Sequence, residues 1–197
     1  MYITILGRQP NLGMAELEQL YGSEQIDWFS DMSAVVRASD FDFERLGGTQ
    51  KAGRVVAELC GNWQSVSKRL VSEYASAWSD HEGKITLGIS AYGFDVSSRD
   101  VQKTGIVLKS KLKAHGVSVR LVPNAEPALN TAASHHNRLG LSDNKLELLV
   151  VRARDSRIII AESVGSQNIA ALAGRDQARP KTDAFVGMLP PKLARMM

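Results

Sequence analysis

The sequence predicts an α+β protein: a small ferredoxin-like unit at the N-terminus, then a larger α/β region. Three observations carry this. The first sixty residues order as strand, helix, strands, helix; alternating apolar strands flank a long amphipathic helix after Lys84; and two β-branched runs meet at a polar turn between Lys145 and Val164.

Tyr2 to Leu6 reads as a strand, and Asn11 caps a helix whose stripe is Leu12, Leu17 and Leu20, with Gly22 just past its end. Ile26 to Phe29 and Ser33 to Ala38 pair as strands around Ser30-Asp31-Met32. Asp42 opens a second helix that Gly47-Gly48 interrupts, and Thr49 caps its continuation from Lys51 to Leu59. Gly61-Asn62 marks a boundary, so residues 1–60 form one domain and 61–166 the next.

In the second region Ser65 to Trp78 is helical, with Val66, Leu70, Tyr74 and Trp78 on one stripe, and the strand from Lys84 turns Ile85, Leu87 and Ile89 to one side. Ser97 or Ser98 caps a helix running to about His115, whose narrow stripe of Val101, Gly105, Leu108 and Leu112 suits close packing on a sheet. Gly116 ends it and Val117 to Val122 forms the next strand, carrying Arg120. Ala128 to Leu139 reads as a strand passing into a helix. Lys145 to Ala153 and Arg157 to Val164 form a hairpin turning at Asp155-Ser156. Residues 167–197 read as a linker and the opening turns of a helix at Leu189-Pro-Pro, one that ends before it can pack.

With 197 residues, 44% of them apolar, the chain can bury a core. No apolar run approaches the roughly 20 residues that cross a bilayer, and the start lacks a signal-peptide pattern, so a cytoplasmic protein is expected. Cys60 is the only cysteine, which excludes an intrachain disulfide and a multi-thiolate zinc site; a small buried apolar role is expected for it.

Charge is unevenly distributed. Met1 to Val96 holds 8 Lys and Arg against 13 Asp and Glu, whereas Ser97 to Met197 holds 16 against 8. On the helix after Ser97 the cations Arg99, Lys103, Lys109, Lys111 and Lys113 spread opposite the apolar stripe, with Asp100 the only acid. Such a face suits a polyanion, and it equally suits a solvated surface with no partner.

Three segments resemble one family: Pro127-Ala-Leu-Asn-Thr-Ala-Ala-Ser-His-His-Asn-Arg-Leu, Arg175-Asp-Gln-Ala-Arg-Pro and Val186-Gly-Met-Leu-Pro-Pro-Lys-Leu-Ala. They are similar to the THUMP-containing tRNA guanine-N2 methyltransferases, in which a ferredoxin-like domain, a THUMP domain and a linker precede a Rossmann-like catalytic domain. The resemblance implies tRNA, rather than DNA, as partner, gripped at its acceptor end so that a target guanosine reaches the catalytic domain or subunit. It also implies S-adenosylmethionine as cofactor, but only in that domain. No Gly-x-Gly turn occurs in this sequence, and its one Pro-Pro, Pro190-Pro191, stands between Leu189 and Lys192 rather than in an Asp/Asn-Pro-Pro-aromatic loop. No catalytic residue is therefore expected, and the sequence reads as a fragment ending where the catalytic domain of its relatives begins. A stand-alone THUMP adaptor, or an interaction scaffold assisting a separate RNA-modifying enzyme, is the alternative.

The expected RNA contacts are the cations Arg99, Lys103, Lys109, Lys111, Lys113, Arg120 and Arg138, with Asn130, Thr131, Ser134, His136 and Asn137 as shorter hydrogen-bonding groups. Tyr92 and Phe94 are the nearby aromatics, each as well suited to a core as to stacking on a base. His135-His136 lacks the further ligands a metal needs. Arg175, Asp176, Arg179 and Pro180 are expected to position the catalytic domain, with Arg175, Arg179 and Lys181 as an optional extension of the RNA track.

Overall fold

The apolar strands join one mixed eight-stranded sheet. A computed structural model describes residues 1–181, 185 and 187–197; the first residue of the C-terminal motif, Val186, lies outside them. The strands are β1 (Tyr2–Leu6), β2 (Ile26–Ser30), β3 (Ser33–Val36), β4 (Thr49–Cys60), β5 (Lys84–Tyr92), β6 (Ser118–Leu121), β7 (Lys145–Arg152) and β8 (Arg157–Ser166). The helices are α1 (Pro10–Tyr21), α2 (Trp63–Ala77), α3 (Ser98–Ala114), α4 (Thr131–His136), α5 (Ile169–Gln177) and α6 (Pro191–Met196).

The sheet order is β2-β3-β1-β4-β8-β7-β5-β6. Its first four strands pair antiparallel, in the order a ferredoxin-like unit has. β5 runs parallel to both β6 and β7, which fits its connections through α3 and α4. The expected boundary at Gly61 falls in the connection from β4 to α2, but the sheet crosses it without a break, because β4 pairs along its length with β8.

Strand alternation divides the core. Ile85, Leu87 and Ile89 of β5, Leu148 and Val150 of β7 and Ile158 and Ile160 of β8 face α2 and α3. The intervening Leu149, Val151, Ile159 and Ala161 face the other way and meet Ile3, Ile5, Phe29 and Val35. α1 packs Met14 and Leu17 on Leu6, Val36 and Ala52. Bulges in β1, β2 and β4 add to the natural twist. The sheet coils until Arg154 Nη2 reaches Asp31 Oδ2 at 2.6 Å and the Arg157 guanidinium lies 5.5 Å from the Phe29 ring centroid.

Several local expectations are corrected. Lys51 to Leu59 is strand, not helix: Arg54, Val56, Glu58 and Cys60 are exposed and Val55, Ala57 and Leu59 half-buried, a period of two that the Ala-Glu-Leu composition disguised. Asp42 caps only a single 3-10 turn, Phe43–Arg45. α1 starts at Pro10, so Asn11 lies inside it, and Leu12 is 42% exposed while Met14 and Tyr21 share the buried side with Leu17. The segment after Ala128 holds a helix but no strand, and the expected linker contains α5. Cys60 is exposed.

α6 does pack, contrary to expectation. A side chain on Gly47 would meet the Lys192 carbonyl at 2.9 Å, and one on Gly48 the Met196 sulfur at 2.9 Å. The glycine pair is held in place from below, since Glu16 accepts hydrogen bonds from Gly47 N at 2.7 Å and Gly48 N at 2.8 Å.

Candidate nucleic-acid interface

α3 carries the densest positive charge, and its position follows from its two faces. Ser97 caps it, accepting from Asp100 N at 3.2 Å while its hydroxyl donates to the Asp100 carboxylate at 2.6 Å. Val101, Leu108 and Leu112 are fully buried. Gly105 lets the helix lie close on β6, since a side chain there would come within 2.6 Å of Leu121 Cδ1. All five cations, Arg99, Lys103, Lys109, Lys111 and Lys113, are exposed.

At about 100° per residue those cations divide between two flanks. Lys109 and Lys113 fall on the side of Gly105, toward β6, and Arg99 points outward. Lys103 and Lys111 fall on the α2 side, where with Lys68 of α2 they line a groove. Arg120 is exposed on the edge strand β6, between Val119 and Leu121, which pack into the α3 face. Its side chain therefore emerges on the opposite face of the sheet. The positive charge is thus a band over the β6 edge plus a separate groove, not one continuous surface. Among the described residues no ion pair involves Arg99, Lys103, Lys109, Lys111, Lys113, Arg120 or Arg138.

The short polar residues around α4 are largely occupied within the chain. Asn130 caps the helix, its side chain accepting from Ala133 N at 2.8 Å, and Asn137 Nδ2 donates to the Ala133 carbonyl at 2.8 Å. Ser134 is fully buried, and its hydroxyl donates to Glu147 Oε2 at 2.6 Å. An RNA role for Ser134 is therefore corrected. Thr131 is half-buried, and His136 and Arg138 remain exposed, Arg138 with a left-handed φ of 55°. His135 and His136 lie on α4, not a strand, and among the described residues no cluster of His, Cys, Asp and Glu is grouped to hold a metal.

Ser134 belongs to a buried network that sequence reasoning missed. Glu147 accepts from Lys51 Nζ and Ser90 Oγ, both at 2.5 Å, and Lys51 Nζ also donates to the Leu129 carbonyl at 2.6 Å. Leu129 N completes the loop by donating to Ser90 Oγ at 2.8 Å. Burial pulls the Lys51 ammonium below its ordinary value, against the Glu147 charge that favours it. The only signals were a carboxylate inside the apolar run Leu146 to Val151 and a lysine in a segment misread as helix.

In the C-terminal segment, Arg179 donates to Asp176 Oδ1 at 2.5 Å and to the Leu189 carbonyl at 2.8 Å, tying the end of α5 to the residue before Pro190-Pro191. Arg175 and Pro180 are exposed. Asp176 of the first pair and Arg179 of the second thus join the end of α5 to the entry of α6.

No protein-family model matches the sequence, and no curated protein matches it either. Solved structures do. TrmN from Thermus thermophilus superposes over 98% of this chain and 52% of its own length, with a TM-score of 0.54 and 15% identity. PH1313 from Pyrococcus horikoshii Ot3 covers 82% of this chain and 53% of its own, at 0.46 and 11%. A 4-thiouridine synthetase solved with RNA and ATP covers 84% of this chain and 41% of its own, at 0.44 and 10%. The chain therefore has the fold of about half of TrmN, a THUMP-like α+β fold.

Proposed function

We propose that this chain is the tRNA-binding region of a tRNA-modifying enzyme, of the guanine-N2 methyltransferase type whose motifs it resembles, and that it grips the acceptor end through phosphate contacts. The observation that carries this is the band of exposed cations outside the α2–α3 groove, Arg99, Lys109 and Lys113 of α3 with Arg120 of β6, which have no ion-pair partner among the described residues. Unpaired cations retain their full attraction for phosphate, and counterion release rewards each contact. Lys109, Lys113 and Arg120 border the edge strand and, with the outward-facing Arg99, form the favoured track; His136 at the end of α4 and Arg138 just beyond it are also exposed. Under this reading methyl transfer and S-adenosylmethionine belong to a catalytic domain or subunit in the cytoplasm, and this chain supplies placement. The fold shared with TrmN supports the reading by placing the chain in the same architecture.

The test is tRNA binding by filter retention at two salt concentrations. Lys109→Glu with Lys113→Glu should weaken binding at least about tenfold and lower the salt slope by about 2, one for each lost phosphate contact. Salt-independent binding, or full affinity in the double variant, would show that RNA binding does not use the β6 edge.

A further inference from the structure

The groove between α2 and α3 lies on the other flank of α3 and has a different chemistry. The two helices run side by side in the same direction. Trp63 at the start of α2 meets Phe94, just ahead of α3, edge-on at 5.3 Å, and Ala75 near the end of α2 shares a notch with His115. Trp63, Val96 and Val107 give the groove apolar walls. Val107 is 41% exposed and lines the groove, while its neighbour Ile106, 52% exposed, lies outside it.

Charge along the groove is graded. Asp95 and Asp100 stand at its N-terminal end, and Lys68, Lys103 and Lys111 follow toward the other. Asp100 is engaged by Ser97, whereas the three lysines enter no ion pair among the described residues. An RNA strand fits this poorly. Its phosphates repeat at uniform spacing and would meet two carboxylates at one end, and a sugar-phosphate chain gains little from an aliphatic wall. A peptide helix can match both features, with an apolar stripe for the walls and carboxylates placed only where the lysines are.

We propose that the α2–α3 groove docks an acidic amphipathic helix of a partner protein, with its apolar stripe against Trp63 and Val107 and its carboxylates over Lys68, Lys103 and Lys111. This stands independently of the RNA reading, because Lys109 and Lys113 face away from the groove. A partner seated there leaves the β6 edge open.

The experiment titrates the full chain with a synthetic helical peptide carrying leucines on one face and glutamates on the other. A glutamate–serine peptide of equal charge is the control, and backbone amide NMR shifts are the readout. The leucine–glutamate peptide should saturate at concentrations on the order of 10–100 μM, with shifts confined to α2 and α3. Val107→Ser, and separately Lys103→Glu with Lys111→Glu, should each weaken it by about tenfold without changing the thermal melt, whereas Lys109→Glu with Lys113→Glu should leave it unchanged. Equal binding of the serine control would reduce the groove to unspecific charge attraction and overturn the proposal. So would absence of saturation, or loss of tRNA binding in the Val107 and Lys103/Lys111 variants, which would make RNA the occupant.

Discussion

Glu147 interrupts the apolar run Leu146 to Val151, and Lys51 sits beside Ala52 and Gly53 in a strand; at 1% and 2% exposure the two are the most deeply buried charges among the described residues. Each alone would be costly to desolvate, and they persist because they pair with each other and with further partners: Glu147 takes three donors, and Lys51 gives to Glu147 and to the Leu129 carbonyl. That arrangement explains why Ser134 read as a surface donor in the sequence yet is buried, since serine serves a ligand and a buried carboxylate equally well and only the fold decides between them. Lys51→Met should be among the most damaging single changes. It leaves the carboxylate without its cation and should cost about 3–5 kcal/mol in urea unfolding. Adding Glu147→Gln should recover part of that loss, because a neutral amide no longer needs the cation. If the double variant is as unstable as the sum of the single ones, the charges do not interact through this contact.

At the scale of elements, legibility followed periodicity. β5, α3 and the β7–β8 hairpin were readable because their buried residues recur with periods of 2 or 3.6 and are bounded by Ser97, Gly116 and the Asp155-Ser156 turn. β4 was not, because only one side of its second half is covered and its residues favour helices. α6 could be seen as the opening turns of a helix at Leu189-Pro-Pro, but its partner could not, since Gly47-Gly48 reads locally as a helix breaker and becomes a seat only when distant chain arrives. The seat has a consequence for Gly48→Ala. The added methyl group would lie 2.7 Å from the Gly13 backbone and 2.9 Å from the Met196 sulfur; α1 is anchored in the core and α6 is not, so α6 should give way. Hydrogen exchange at the Ala194 and Met197 amides should rise to the rate of an unprotected chain while α1 stays protected. Unchanged protection there would mean that α6 is held by the Arg179 tie to Leu189 rather than by the glycine seat.

Over the whole molecule, the charge split and the sheet impose different divisions. Acidic and basic halves separate near Val96, the expected domain boundary lies at Gly61, and yet β4 and β8 pair across both, with Lys51 and Glu147 linked on one face and Glu162 joined to Arg54 and Tyr74 on the other. A strand pair of this length cannot open without exposing two sections of core at once, so both halves should unfold together. The tryptophans allow this to be measured, since Trp28 lies in β2 while Trp63 and Trp78 bracket α2. A chain carrying Trp63→Phe and Trp78→Phe reports the first half by fluorescence, and one carrying Trp28→Phe reports the second. With each midpoint compared with the far-ultraviolet transition of the same chain, the fluorescence and backbone curves should coincide in both variants. If the Trp28 signal is lost at clearly lower denaturant than the backbone signal, the N-terminal unit is a separate folding domain. The β4–β8 pairing would then be an interface between domains, and the β6 edge would stay folded when the first sixty residues are removed.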